Sequence, residues 1–197
     1  MPRTSAVTLP ARLKRVRLLL MDVDGVMTDG KLYFVPAPDG GMIEAKGFDT
    51  QDGVALMWAH EAGLLTGLIS GRDSPGVTAR AKQLHLTYVY QGHLAKVASY
   101  EEILGQAGVS DEQVAFVGDD LTDAVVMVRA GLAVAVGNAR PEVKRIAHYV
   151  TRQAGGDGAI REVVELLLKA QGKWPAIVEK YGLGPSRGRG KARHAAA

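Results

Sequence analysis

Apolar residues run along this chain in two patterns. Short unbroken stretches, Leu18 to Met21, Leu64 to Ile69, Val114 to Val117 and Leu132 to Val136, read as strands buried on both faces of a parallel sheet. Thr87 to Tyr90 adds a shorter one. Between them apolar positions recur at three- and four-residue spacing. That predicts helices over Val54 to Ala62, Pro75 to Leu84, Lys96 to Ala107 and Leu121 to Ala130, a short one from Pro141, an amphipathic one over Ala159 to Lys169, and one more over Trp174 to Tyr181. Punctuation agrees. Gly63, Gly108 and Gly131 follow three of these helices. Ser74-Pro75 reads as an N-cap with Pro at the first helical position, and Ser110 with Gln113 reads as a capping box for a short turn.

One place breaks the alternation. After the first strand no helix appears; Lys31 to Val35 and Met42 to Lys46 flank the turn-rich Pro36-Ala-Pro-Asp-Gly-Gly41, which predicts a β-hairpin. There is no internal repeat. The order of elements predicts an α/β fold, a Rossmann-like doubly wound parallel sheet with a hairpin inserted after the first strand. A chain of 197 residues, 47% hydrophobic, suits one such domain and leaves no room for a large cap domain. The expected organisation is a basic extension over 1–15, the domain over 16–173, and a helix with a basic tail over 174–197.

Polar clusters follow the strands, at the C-terminal edge where open α/β sheets bind ligands. They are Asp22/Asp24, Ser70, Lys96 and Asp119/Asp120/Asp123. Asp22 and Asp24 lie two apart at a strand end, so they share a face if the strand continues. Carboxylates that close repel unless a cation or a proton is shared between them. The set offers a nucleophile, a hydroxyl donor, one fixed cation and oxygen ligands for a hard metal such as Mg²⁺. That inventory suits phosphoryl transfer, in which catalysis is positioning plus neutralisation of the phosphoryl oxygens. No G-x-x-x-x-G-K loop is present, which argues against an ATP-dependent kinase.

Charge and composition remove other classes. With no cysteine, disulfides, thiolate zinc sites and a cysteine nucleophile are excluded. No apolar stretch is long enough to span a bilayer and the N-terminus lacks a signal-peptide core, so the expectation is a cytoplasmic protein. The net charge of +3 misleads. Arg3, Arg12, Lys14, Arg15 and Arg17 at one end and Arg187, Arg189, Lys191 and Arg193 at the other carry nine positive charges; without them the rest stands at −6. The tail from Gly184 has almost nothing to bury and reads as disordered. The acidic body, and the lack of aromatics in the tail, argue against a nucleic-acid partner.

These residues resemble a known family. Asp22-x-Asp24-Gly25-Val-x-Thr28, Ser70-Gly-Arg, Lys96 and Gly118-Asp119-Asp120-x-x-Asp123 look like the four motifs of the haloacid dehalogenase superfamily. The hairpin after Asp-Val-Asp-Gly-Val-x-Thr-Asp-Gly is similar, within that superfamily, to the 3-deoxy-D-manno-octulosonate 8-phosphate phosphatases of lipopolysaccharide sugar synthesis. So are Gln91-Gly92, Val117-Gly-Asp-Asp-Leu121 and Tyr149-Val-Thr-Arg-x-Ala-Gly-Gly156. The resemblance covers Val16 to Lys173. It implies an Mg²⁺-dependent phosphomonoesterase in which Asp22 attacks phosphorus and Asp24 is general acid and base. It implies Mg²⁺ on the Asp22 and Asp119 carboxylates and the Asp24 backbone carbonyl. Ser70 and Lys96 would hold the phosphoryl oxygens, and Asp123 would orient Lys96 or a metal-bound water. Asp120 is either a further partner of the metal's ligands or a helix N-terminal acid. It also implies a homotetramer with packed hairpins, to which Tyr33, Phe34, Val35, Met42 and Ile43 would bring apolar surface.

The family's substrate loop, Asn-x-Arg-Asp-Gly, corresponds to Asp49-Thr50-Gln51-Asp52-Gly53, with Gln51 in the arginine position. A second family arginine corresponds to Met57, while Gly71, Arg72 and Arg80 match ligand-contacting positions. Losing two cations weakens the hold on a sugar-acid carboxylate. A nonulosonate 9-phosphate or another phosphosugar is therefore the alternative substrate. A non-catalytic phosphosugar-binding scaffold is the alternative class, disfavoured because Asp22 and Asp24 are both present.

Overall fold

In the computed structural model, which describes residues 7–184, the elements follow in the order α1 (Leu9–Arg15), β1 (Leu18–Met21), β2 (Tyr33–Pro36), β3 (Met42–Ala45), α2 (Thr50–Glu61), β4 (Leu65–Ile69), α3 (Pro75–Gln83), β5 (Tyr88–Tyr90), α4 (Lys96–Ala107), β6 (Val114–Gly118), α5 (Leu121–Met127), β7 (Leu132–Ala135), α6 (Pro141–Ile146), β8 (Tyr149–Val150), α7 (Ala159–Ala170) and α8 (Trp174–Lys180). Six strands form one sheet in the order β5-β4-β1-β6-β7-β8, and every pairing is parallel. From β1 the chain goes out to β4 and β5 on one side, then returns to β6 on the other. The order therefore reverses between β1 and β6, the crevice where such sheets bind ligands. Both strands are buried along their whole length, as their unbroken apolar runs require.

The hairpin forms as expected and stands as a ribbon apart from the main sheet. β2 and β3 pair antiparallel as a separate ribbon, with Val35 opposite Ile43 and Pro36 opposite Met42. Phe34, Met42 and Ile43 are each more than half exposed. Glu44 and Lys46, at the ribbon's foot, are the exceptions.

Helix boundaries moved where side chains rather than periodicity set them. α2 starts at Thr50, four residues before the expected Val54, because the Asp49 side chain accepts the Asp52 amide and caps it. The stretch expected to be a loop is thus a cap and a first helical turn. α5 ends at Met127 instead of Ala130. Ser74 occupies the N-cap of α3, yet its hydroxyl does not cap; its amide bonds Gln91 Oε1. The Ser110/Gln113 capping box is present.

Two elements, α1 and β8, gave no periodic signal. α1 lies in the expected basic extension; it buries Leu13, and Gln171 donates to Leu13 O at 3.1 Å and Val16 O at 2.9 Å, tying it to α7. β8 is only two residues long. α8 was expected, but its anchoring was not: Trp174 and Tyr181 both pack edge-on against Trp58 of α2, whose indole donates to the Tyr181 hydroxyl at 3.0 Å. The basic tail expected to be disordered lies outside the described residues, from 185 on. No helix among those described is long and apolar enough to cross a membrane.

Candidate active site

At the crevice the chain leaves β1 and turns at once. The Asp22 amide still bonds Val117 O, continuing the ladder, but the amides of Val26, Met27 and Thr28 all point at Val23 O. This tight turn needs Gly25, whose φ is +92°, and a Cβ there would sit 2.2 Å from Asp119 Oδ2. The approach of the β1 and β6 loops therefore depends on a missing side chain. The Gly155-Gly156 pair closes the turn from outside, since a Cβ on Gly155 would lie 1.7 Å from Gly25 O.

Asp22, Asp24, Ser70, Gly71, Arg72, Lys96, Asp119 and Asp120 line a cleft of about 200 Å³ at this point. Lys96, the first residue of α4, is buried and donates to Asp22 Oδ1 at 2.7 Å and to Asp123 Oδ1 at 2.6 Å. The other Asp123 oxygen accepts the Asp119 amide at 2.9 Å and the Asp120 amide at 3.3 Å. Asp123 is thus the brace that holds both Lys96 and the loop carrying Asp119. Asp120 resolves as a helix cap, its carboxylate accepting the Leu121 amide at 2.7 Å. Ser70 Oγ accepts the Arg72 amide at 3.2 Å, which leaves its proton for a bound oxygen.

The charge balance of this cluster asks for a cation. Ligand atoms of Asp22, Asp119 and Asp123 all lie within 4.8 Å of one another. When ionised they carry three negative charges against one lysine. Burial, then Asp123, raises Asp22 to about 6 against the pull of Lys96. Burial, then Asp123, Asp22 and Asp120, raises Asp119 to about 7. Burial lowers the Lys96 value, but Asp22 and Asp123 outweigh it and the ammonium is held above its usual range. Asp119 Oδ1 is buried without a hydrogen-bond partner. An all-oxygen, carboxylate-rich set with an orphaned buried oxygen fits a hard divalent ion such as Mg²⁺.

Asp24 does not meet Lys96. Its Oδ1 takes a hydrogen bond from Lys46 at the hairpin foot, and Arg72 Nε lies 3.9 Å from its Oδ2. Glu44 contacts Lys46 at 3.1 Å and is hydrogen-bonded by Arg72. Lys46 first, then Arg72, holds the Glu44 carboxyl below its usual range despite some desolvation. The sequence reading missed Glu44 and Lys46. Their signal was there: two apart on an extended strand, they share a face. Leu94 and Thr122 also line the cleft and were missed; a Cβ on Gly71 would lie 2.8 Å from Leu94, which explains that glycine.

The remaining candidates lie elsewhere in the single chain. Asp49 and Gln51 line a cavity of about 360 Å³ with Arg152, Arg161, Glu162 and Glu165. Thr50 borders a separate one beneath the hairpin. Asp52 is buried, and its Oδ1 accepts the Arg161 amide at 2.7 Å, so it holds the N-terminus of α7. Arg80 donates to Asp49 O at 3.3 Å and crosses Gly53, where a Cβ would lie 2.2 Å from its guanidinium. Met57 faces His60, Glu61 and His85 on another side of α2.

A family model for haloacid dehalogenase-like hydrolases matches residues 76–163. The 3-deoxy-D-manno-octulosonate 8-phosphate phosphatase KdsC of Escherichia coli K12 is 42% identical over 163 residues, which span 83% of this chain and 85% of that protein. The solved structure of the phosphatase of that name from Yersinia pestis is also 42% identical, with a TM-score of 0.79, covering 84% of this chain and 87% of its own. The Moraxella catarrhalis structure, a complex with magnesium ion, phosphate ion and KDO, is 33% identical with a TM-score of 0.82, covering 87% and 97%.

Proposed function

The chain belongs to the haloacid dehalogenase-like hydrolases and, within them, to the family of the KdsC phosphatases; from that premise we propose that it is an Mg²⁺-dependent phosphatase of 3-deoxy-D-manno-octulosonate 8-phosphate. The observation that carries the reading is the chain of contacts from Asp22 through Lys96 to Asp123 and on to the Asp119 loop. One buried network thereby positions a nucleophile, a fixed cation and a metal ligand.

The chemistry follows from these groups. Lys96 fixes the Asp22 carboxylate, an oxygen of which forms a bond to phosphorus as the bond from phosphorus to the sugar oxygen breaks. Asp24, in its acid form, gives its proton to the departing alkoxide. Asp24 then takes a proton from water as that water attacks phosphorus, which frees Asp22 and inorganic phosphate. Ser70 and Lys96 bind the phosphoryl oxygens throughout. The Asp22 and Asp119 carboxylates and the Asp24 carbonyl would hold Mg²⁺, which would supply neutralisation of the phosphoryl charge.

The same reading makes the protein a cytoplasmic homotetramer assembled through its hairpins. Support comes from the ribbon itself. Phe34 and Met42 on one face and Val35 and Ile43 on the other are exposed, and an isolated two-stranded ribbon is marginal in water.

The test is release of phosphate from octulosonate 8-phosphate and from 4-nitrophenyl phosphate, with and without Mg²⁺. Turnover should need the metal and vanish in Asp22→Asn while the fold persists. Near-native turnover by that variant would overturn the assignment.

A further inference from the structure

Two lysines are buried among carboxylates at this edge of the sheet, and the mechanism above uses only one. Lys96 holds Asp22. Lys46 holds Asp24, and its side chain is 2% exposed. We propose that Lys46 is a positioning residue for Asp24, fixing the acid–base carboxylate from the foot of the hairpin. The proposal rests on the phosphatase reading.

The geometry explains why Asp24 needs such a partner. It lies past the end of β1, in a turn whose amides are spent on Val23 O. Among the described residues, the Asp24 carboxylate meets Lys46 at Oδ1 and, farther off, Arg72 beside Oδ2. Glu44 closes the circuit, contacting Lys46 and Arg72. In the ionised state in which Asp24 takes a proton from water, it and Glu44 balance the two cations of this ring, and in the acid state Asp24 still meets Lys46 from the same side. Arg72 is the weak member: its side chain is 47% exposed, and its 3.9 Å approach to Asp24 is beyond hydrogen-bond range. Without Lys46, Asp24 would keep only the distant Arg72, whose guanidinium is already hydrogen-bonded to Glu44. The carboxylate would turn away from the leaving oxygen, and misplacement by about 1 Å costs roughly a hundredfold in rate.

A merely structural role for Lys46, pinning the hairpin, would lower all activities together. A positioning role acts only where the acid is needed. The ratio kcat/KM reports phosphoryl transfer to Asp22, the step in which a sugar alkoxide needs a proton and 4-nitrophenolate does not. The experiment measures kcat/KM for both substrates, with saturating Mg²⁺, in the full-length native protein, Lys46→Met, Lys46→Arg and Asp24→Asn.

Lys46→Met should lose about tenfold to a hundredfold on octulosonate 8-phosphate and less than about threefold on the aryl ester. Lys46→Arg should recover most of the loss, because a guanidinium still reaches both carboxylates. Equal losses on the two substrates, or an arginine variant no better than methionine, would overturn the proposal. Asp24→Asn separates the two levels. If it shows the leaving-group-dependent loss and Lys46→Met does not, Lys46 positions nothing and the phosphatase reading stands. If Asp24→Asn shows no such dependence, the acid role fails and the proposal falls with it.

Discussion

The raised carboxylates at the crevice predict how tightly Mg²⁺ binds as pH changes. In the metal-free chain Asp119 stands at about 7 and Asp22 at about 6, both raised chiefly by burial and then by neighbouring carboxylates. A divalent ion needs both ionised, so it must displace whatever protons they hold. At pH 8 they hold almost none. At pH 6 Asp119 is about nine-tenths protonated and Asp22 about half, which weakens apparent affinity roughly twentyfold between the two pH values. Near pH 6.5 binding should release about one proton per ion, shared by the pair rather than owned by either residue. Calorimetric titration with MgCl₂, in two buffers of different ionisation enthalpy, reads both quantities at once. Asp119→Asn should lose most of the affinity and most of the proton release. An affinity constant within twofold from pH 6 to pH 8, with no proton release, would show that these carboxylates are ionised before the metal arrives, and the charge argument for the site would fail.

Three other outcomes follow from the structure. Burial raises Asp52 to about 6, so its contribution to stability is full below pH 4 and lost as pH rises through 6; with Mg²⁺ saturating, Asp52→Asn should flatten the pH dependence of the unfolding free energy in that window by about 1–2 kcal/mol, and an unchanged profile from denaturant titrations would refute this. Val35→Glu with Ile43→Lys places an ion pair across the ribbon where an apolar pair stood; sedimentation should show dissociation with the α/β fold intact, whereas an unchanged oligomer would remove the hairpin from the interface. Gln51 and Met57 face different cavities, so only Gln51→Arg should raise the preference for octulosonate 8-phosphate over a neutral sugar phosphate, by about tenfold to a hundredfold in kcat/KM. Equal effects of Gln51→Arg and Met57→Arg would contradict that placement.

The sheet and its reactive edge were legible because each depends on local signals. Strands buried on both faces must be continuously apolar, and β1 and β6 are. Asp22, Ser70, Lys96 and Asp119 follow strands or open a helix, so parallel topology alone brings them to one edge. The hairpin showed through its turn chemistry. α1 did not show: seven residues with one buried leucine give no periodicity, and its docking depends on Gln171, 155 to 158 residues away in sequence. β8 is too short to carry a pattern.

Asp49 to Gly53 shows where a motif gives position but not role. As a string it matches a substrate loop. In the folded chain Asp49 caps α2, Asp52 caps α7, and Gly53 makes room for Arg80, which in turn bonds Asp49 O. Asp52 thus makes the joint between α2 and α7, while Asp49 caps α2 and Gly53 seats Arg80 of α3, so a substitution at any of the three would disturb the packing around that joint whatever the substrate. Thr50 and Gln51 make no such contact and point outward at the start of a capped helix. The joint presents them on a rigid surface, so the residue at 51 sets the chemistry of that surface without altering its shape. A substitution at Gln51 should therefore leave the network of Asp22, Lys96 and Asp123 undisturbed.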